Sequence, residues 1–517
     1  MQTREWDAVV IGGGVAGLSA AQMLGRARRS TLVLDGGSPR NRFAAHMHGV
    51  LGHDGVDPAA LLSRGRDEVA SYGVVVETAE VAEVDDEGDL LRIVRADGAI
   101  ERARAIVVAT GIRDELPEIP GLAALWGRSV LHCPYCHGWE VADRRLGVLA
   151  TSPASIHQIE LARQWSADLT AFTAFAEPLP ADVRARLIAR GIRIVASPVQ
   201  AVTSAGDELT GVIDADSTSH TIDALFVAPA PGLRLDFLAS LALARTDQPG
   251  SPLAVDALGA TSHPRVWAAG NVTAPFGNVP LSMGAGSMAG AAVNAALVAE
   301  DAARAVAERR RQRNDAWEER YAAEDRFWSG RVNPTFAAIA GGLAPGTALD
   351  VGCGEGADAV WLAERGWRVT GVDVSETAIR RATDAAGDRG LGERVRFVSG
   401  DAGDALPDGR FDLVTASFLH SWEQDFPRFD LLREAAARVA PGGRLLVISH
   451  AAPPPWAREL PPDAPPMHSP AQELTLLGLD DAEWSAELVE TRSREATAPD
   501  GARAHLDDGV LLLRRAG

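Results

Sequence analysis

The stretch WDAVVIGGGVAG, Trp6–Gly17, decides how this chain is read. A β-branched run passes straight into glycines, and LSAAQMLGRA follows with the composition of a helix. The spacing predicts strand, tight turn and helix, with GxGxxG at the turn. Gly12 permits the turn, Gly14 lets backbone N–H groups approach a pyrophosphate, and Gly17 lets helix and strand pack closely. The positive end of the helix dipole then faces the phosphates. A second strand, Thr31–Leu34, ends at Asp35, 18 residues after Gly17, where an acid can hold ribose hydroxyls. These features predict a dinucleotide site; the glycines alone do not choose FAD over NAD.

The same grammar returns near residue 350. Thr347–Val351 reads as a strand ending in Asp350-Val351-Gly352-Cys353-Gly354-Glu355-Gly356, with a helix behind it. A following strand, Arg368–Val372, ends at Asp373, 17 residues beyond Gly356. Further strands are expected at Arg396–Val398, before Asp401 and Ala402, and at Phe411–Thr415. Ala437–Ser449, ARVAPGGRLLVIS, reads as helix, glycine turn and fifth strand. Short β-branched runs alternate with Ala-rich helical stretches throughout, which is an α/β chain. Between the two glycine loops lies Asp301–Gly330, dense in interleaved acids and arginines and without a strand signal. It reads as a solvated helix linking two modules.

Composition narrows the function. The chain has 517 residues, 46% of them hydrophobic and 23% charged, enough for about three domains. Its formal charge of −20 argues against a nucleic-acid partner and against a polybasic membrane anchor. Every basic residue is Arg, so Schiff-base chemistry and a Walker lysine are excluded. Three cysteines do not make a disulfide framework. No stretch of about 20 residues is continuously apolar, so no membrane-spanning helix is expected. The first apolar run is too short and glycine-terminated for a signal peptide, so a cytoplasmic protein is expected.

His132-Cys133-Pro134-Tyr135-Cys136-His137 is the expected chemical centre. A CxxC turn brings two sulfurs within bonding reach. A neighbouring imidazolium would lower a thiol pKa, and His137 is placed to move the proton. No second ligand pair follows at zinc-finger spacing, so no metal is expected. His46, His48 and His53 lie in one stretch, read as loop packing and substrate-side contacts ahead of a metal cluster.

Two more segments join these motifs. Ile106–Gly111, IVVATG, ends in Thr110-Gly111, and Val266–Asn271, VWAAGN, ends in Gly270-Asn271 before a small-residue helix. GxGxxG, ATG, CxxC and AAGN in this order resemble the low-molecular-weight thioredoxin reductase family over about the first 300 residues. The resemblance implies FAD held at Gly12, Gly14, Gly17, Asp35, Thr110, Gly111, Gly270 and Asn271. It also implies catalysis by Cys133, Cys136 and His137, and a homodimer. Asn271 departs from the family's usual Asp. The HCxxCH form resembles the dithiol oxidase branch, known from fungal and bacterial dithiolopyrrolone and epidithiodiketopiperazine pathways.

In the family a second glycine loop binds NADPH. Here the strand Leu146–Leu149 is followed by Ala150-Thr151-Ser152-Pro153-Ala154-Ser155, without glycine, and Leu169–Phe172 is followed by no arginine pair. The fold is expected to remain and the NADPH site to be lost.

The second module resembles class I S-adenosylmethionine-dependent methyltransferases across roughly residues 345–450. The resemblance implies S-adenosylmethionine at Asp350, Gly352, Gly354, Gly356, Asp373, Asp401 and Ala402. Cys353 reads as a small filler. The acceptor side falls around Phe418-Leu419-His420-Ser421-Trp422 and under the Pro-rich stretch Pro453–Pro466, with His420 a possible base; the acceptor itself is not legible.

The expected architecture is two Rossmann-like domains, one inserted in the other, then a methyltransferase domain. Its segments are 1–115 with 245–300 for flavin, 116–244 inserted with the CxxC, 301–330 as helical linker, and 331–517 for methyl transfer. The expected function is bifunctional: oxidation of a small dithiol, and methyl transfer, possible on the same thiols. A thioredoxin-like substrate with NADPH as reductant, or a non-catalytic redox sensor, are the alternatives.

Overall fold

The computed structural model describes residues 4–421, 426–456, 466–498 and 501–517. The chain divides into two compact units, Met1–Ala302 and Ala303–Gly517.

In the first unit the opening strand is Arg4–Ile11 and pairs in parallel with Thr31–Asp35 on one side and Ile100–Val108 on the other. Side chains alternate across this sheet. Ala8 and Val10 join a core with the helix Val15–Arg26, while Val9 and Ile11 join a core with Leu235, Leu238 and Leu253. Both faces are buried, which is why the strand reads as an unbroken apolar run. Val266–Ala268 adds to the sheet beside Ile106–Val108, and what reads as its last residues becomes a turn of 3-10 helix at Gly270–Val272.

The chain leaves this domain through Arg113–Glu115 and returns through Ala230–Gly232, and these two strands pair antiparallel. Between them lies a five-stranded parallel sheet containing Val130–Leu131, Leu146–Leu149, Leu169–Phe172, Arg193–Val195 and Ala224–Val227.

The helix expected at residues 301–330 is the later part of a longer one, Val279–Ala323, of 45 residues. By length and composition it could cross a membrane, contrary to the expectation that no segment would. Its small-residue run is instead core of the first unit: Ala289, Val293 and Leu297 are buried against the first helix and sheet. A Cβ on Gly286 would lie 2.0 Å from the Ala16 carbonyl oxygen, and one on Gly290 2.5 Å from that of Ala20. Only glycine admits so close a helix–helix approach.

The second unit is a seven-stranded sheet. Its order is Val395–Ser399, Arg368–Asp373, Thr347–Val351, Phe411–Ser417, Val439–His450, Arg503–Arg515 and Trp484–Thr497. The first five strands are parallel, and Arg503–Arg515 runs antiparallel to both of its neighbours, Val439–His450 and Trp484–Thr497. The order reverses between Thr347–Val351 and Phe411–Ser417, the switch point at which open α/β sheets bind ligands. The glycine turn expected before the fifth strand lies within Val439–His450. The register jumps from Phe411↔Val439 to Leu413↔Arg444, so the residues between loop out of the ladder.

Gly286→Val should lower the melting midpoint by the equivalent of about 1–3 kcal/mol, because the added carbons meet backbone. Gly284→Ala, whose Cβ meets nothing within 4 Å, should instead gain roughly 0.5–1 kcal/mol from helix propensity. Circular dichroism melts of both variants check the contrast.

Candidate functional sites

In the first unit, Gly12, Gly14, Asp35, Thr110, Gly111, Gly270 and Asn271 line one cavity of about 470 Å³ together with Cys133, Cys136 and His137. Gly12 turns at φ +113°, where a Cβ would sit 2.3 Å from the Ala109 carbonyl oxygen. A Cβ on Gly13 would strike the Asp35 carboxyl at 2.5 Å, so the middle glycine lets that acid approach. A Cβ on Gly14 would meet nothing within 4 Å, leaving its backbone open. Gly17 is not in the lining; a Cβ there would lie 1.9 Å from the Gly12 carbonyl oxygen, so it serves packing. This cradle, with an acid at the second strand tip, fits a dinucleotide.

Asn271 explains its own departure from Asp. Its Nδ2 donates to the carbonyl oxygens of Ala274, Pro275 and Gly277 at 3.0, 3.3 and 2.8 Å. A carboxylate has no proton to give them. The amide therefore holds the loop that closes this end of the cavity.

Both thiols of the CxxC are free and half-buried. Cys133 is pulled down to about 6 by the neighbouring Cys136 thiol, by the N–H groups of Cys136 and Tyr135, and by the Arg40 cation. Cys136 is pushed up by the neighbouring Cys133 and by desolvation. The expected imidazolium is not the cause. Burial pushes both neighbouring histidines down, His132 to about 4 with the help of Arg40, so both rings are neutral near pH 7.

Arg40 escaped the sequence reading. Its guanidinium grips Asp114 with Nε–Oδ2 at 3.0 Å and Nη2–Oδ1 at 2.7 Å, and it donates to the Pro275 carbonyl at 2.8 Å. Its Nη2 lies 3.4 Å from His132 Nδ1, which makes that nitrogen an acceptor. His46 and His48 also line the cavity. His48 sits between Asp54 and Glu140 at 3.4 and 3.3 Å. Among the described residues no group of three or more His, Cys, Asp or Glu could hold a metal ion.

In the inserted sheet, the loop after Leu146–Leu149 is closed on itself. The Thr151 N–H donates to Ser155 Oγ at 3.1 Å, and the Thr151 hydroxyl donates to the Ala228 carbonyl at 2.7 Å. At the tip of Leu169–Phe172, Glu177 accepts from the Thr173 hydroxyl at 2.8 Å and the Leu179 N–H at 2.9 Å, and pairs with Arg184 at 3.0 Å.

In the second unit, Gly352, Gly354 and Gly356 all take positive φ. Asp373 accepts the Gly354 and Ser375 N–H groups at 2.8 and 3.0 Å, and burial raises its pKa. Asp350 accepts the Thr415 hydroxyl at 2.9 Å and is pushed up to about 8, first by burial and then by Asp358. Cys353 is half-buried, and desolvation pushes its thiol up. These glycines and the acid at the second strand tip fit S-adenosylmethionine.

Asp401, just before Ala402 opens a short helix, is more occupied than its motif suggests. Burial opposes its charge, yet Arg310, the Gly403 N–H and Asn314 hold it down to about 2. Arg310 lies 2.7 Å away and Arg313 3.2 Å. From the same helix Glu318 accepts the hydroxyls of Ser375 and Thr377 at 2.5 and 2.6 Å. The Tyr321 hydroxyl and Trp328 border Gly354. The charged segment thus packs on Asp401, Ser375 and Gly354, residues of or beside the expected donor motifs, and is not only a solvated face. Its aromatics Trp317, Tyr321 and Trp328 were the overlooked signal.

His420 donates from Nδ1 to the Phe418 carbonyl at 2.5 Å, so Nε2 is its basic nitrogen, and burial lowers its pKa. His450, unread in the sequence, stands edge-on to it at 5.4 Å and stacks on Phe418 at 4.5 Å. Burial and then His420 push His450 down to about 4. Phe418 takes φ +54°, strain of a kind that gathers at functional sites. Trp422 and most of Pro453–Pro466 lie outside the described residues.

Comparison with known proteins matches these halves to two families. Residues 6–296 match the pyridine nucleotide-disulphide oxidoreductase model, and residues 348–443 match a methyltransferase domain. The chain is 32% identical to thioredoxin reductase sirT of Leptosphaeria maculans, over 58% of this chain and 96% of that protein. A match at 37% identity to a probable thioredoxin reductase of Arthroderma benhamiae spans 28% of this chain and only 37% of that protein. The crystal structure of HlmI superposes with a TM-score of 0.58 at 42% identity, covering 60% of this chain and 99% of that one. A 121-residue stretch is 38% identical to ribosomal RNA small subunit methyltransferase C of Alcanivorax borkumensis, covering 23% of this chain and 34% of that protein.

In the reduced protein, iodoacetamide should alkylate Cys133 before Cys136, with a midpoint near pH 6. Arg40→Leu removes a cation that favours the thiolate, so the midpoint should rise. Mass spectrometry of alkylation against pH reads both.

Proposed function

The chain belongs to the pyridine nucleotide-disulphide oxidoreductase family, as a thioredoxin-reductase-like flavoenzyme fused to a class I methyltransferase domain, and on that premise we propose that its first half oxidises small dithiols. The cofactors that go with these domains are FAD and S-adenosylmethionine. Bound flavin supplies a two-electron acceptor. A substrate thiolate attacks the Cys133 sulfur of the internal disulfide and releases Cys136; the second substrate thiol then displaces Cys133 and closes the substrate's disulfide, the reduced pair gives up two electrons as its own disulfide re-forms, and His137 passes protons. Arg40 and Asp114 keep His132 an acceptor.

The observation that carries this reading is the loop Ala150–Ser155. Its hydroxyls and Pro153 fill the turn where a pyrophosphate would need open backbone N–H groups. Glu177 then puts an acid where a 2′-phosphate would need a base. Electrons enter from the dithiol and leave to oxygen or another oxidant. The names of the fungal relatives favour a second reading, an NADPH-dependent reductase of a thioredoxin-like protein. For either reading the family argues for a homodimer.

Anaerobic titration separates them. Dithiothreitol should bleach the yellow protein and admitted air restore it, while NADPH leaves it yellow. Rapid stoichiometric bleaching by NADPH would sink the oxidase reading and leave the reductase.

For the second half we infer S-methylation of a thiol. The support is covalent fusion to a thiol-handling module, with His420 and His450 at the strand ends beyond the donor loop. Incubation with S-adenosylmethionine and the dithiol that bleaches the flavin should give an S-methyl product by mass spectrometry. No such product with any oxidised dithiol would separate the two activities.

A further inference from the structure

Oxidising a dithiol to a disulfide breaks two S–H bonds and forms one S–S bond. Two electrons and one proton go to the flavin, and the second proton must reach water. The CxxC is half-buried and faces the cavity, and one side of it cannot take that proton on. On one side His132 Nδ1 faces the Arg40 guanidinium, which has no lone pair to take a proton, and Asp114 behind it is almost fully buried.

The other side is built differently. Glu140 follows the CxxC closely enough for its charge to act on both Cys136 and His137. Its carboxylate lies 3.3 Å from His48 Nε2, and Asp54 lies 3.4 Å from His48 Nδ1. The Asp54 and Glu140 side chains are 69% and 41% exposed. His48 itself lines the cavity with His46, His137 and both cysteines.

We propose that His48, bridged by Asp54 and Glu140, carries the released proton from the His137 side of the CxxC to solvent. An imidazole with each nitrogen on a different carboxylate takes a proton at one and releases it at the other. The contacts of His48 are not needed to shape the loop. The loop is already closed by Met47 N–H to Val56 carbonyl at 3.0 Å and Gly55 N–H to Met47 carbonyl at 2.9 Å. Asp54 also accepts the Gly49 N–H at 3.0 Å, and His46 Nδ1 lies 3.1 Å from the Gly55 carbonyl. His48 is then a positioning and proton-moving residue acting through His137, and the inference rests on the dithiol reading above.

The test is anaerobic stopped-flow bleaching of the flavin by dithiothreitol in the full-length holoenzyme, parent against His48→Ala, in dilute buffer. The variant should be slower by roughly 10–100-fold, the lower range of proton-transfer catalysis. Added imidazole should restore the rate, which a structural defect would not allow. The pH midpoint for iodoacetamide alkylation of Cys133, read without turnover, should stay at the parent's value. Parent-like bleaching, slow bleaching without imidazole rescue, or a shifted alkylation midpoint would each overturn the relay. Should His48→Ala not retain flavin, Glu140→Gln replaces it: bleaching should slow likewise, added acetate in place of imidazole should restore it, and the Cys133 alkylation midpoint should not move. A parent that dithiothreitol cannot bleach but NADPH can refutes the oxidase reading alone. The same comparison then uses NADPH-driven reduction of a small disulfide, in which the proton runs inward.

Discussion

Two helix backbones touch at Ala16–Ala20 and Gly286–Gly290, and the cavity beside the CxxC depends on that approach. Side chains elsewhere in the core tolerate substitution by others of similar volume. Here carbonyl oxygens face glycine Cα atoms, and no larger residue fits. The contact fixes the start of the first helix against the start of the long one. Gly12–Gly14 and Asn278–Ser282 are thereby brought to one cavity from opposite ends of the first unit's sequence. A Cβ on Gly270 would lie 2.7 Å from Ala16 Cβ, so the strand end that carries Asn271 is seated on the same residue.

The thiol chemistry rests on a different economy of charge. A buried imidazolium beside the CxxC would be costly to hold. The site uses backbone N–H groups and a guanidinium instead, whose charge persists at any pH of interest. Arg40 serves both the thiolate and the neutrality of His132. Asp114 keeps it in place, so the electrostatics of the CxxC originate in a loop far away in sequence.

Much of this was legible from glycines, strand tips and motif order, because backbone approach and ribose binding need particular residues at particular spacings. The alternation of Ala8, Val9, Val10 and Ile11 across two cores follows directly from the run that contains them. What was not legible came from long-range pairing. Arg40 meets Asp114 and His132 across 74 and 92 residues, and nothing local marks it. Arg310 and Glu318 sit in a run whose alternating charges imitate a solvated helix, yet they close on Asp401 and Ser375. The last two strands, Trp484–Thr497 and Arg503–Arg515, alternate polar and apolar residues too loosely to stand out, and His450 was hidden at the end of a strand that was itself correctly expected.

The helix Val279–Ala323 contains the division between the compact units, at Ala302 and Ala303. Proteases cut segments that can be drawn out into an extended conformation, and fusion proteins usually separate at such places. At this division the backbone is hydrogen-bonded within a helix, so cleavage there first requires unwinding. A cell that makes this chain thereby keeps the two catalysts at equal copy number for the life of the molecule. Any attempt to express the halves separately has to decide which of them inherits the turns of that helix.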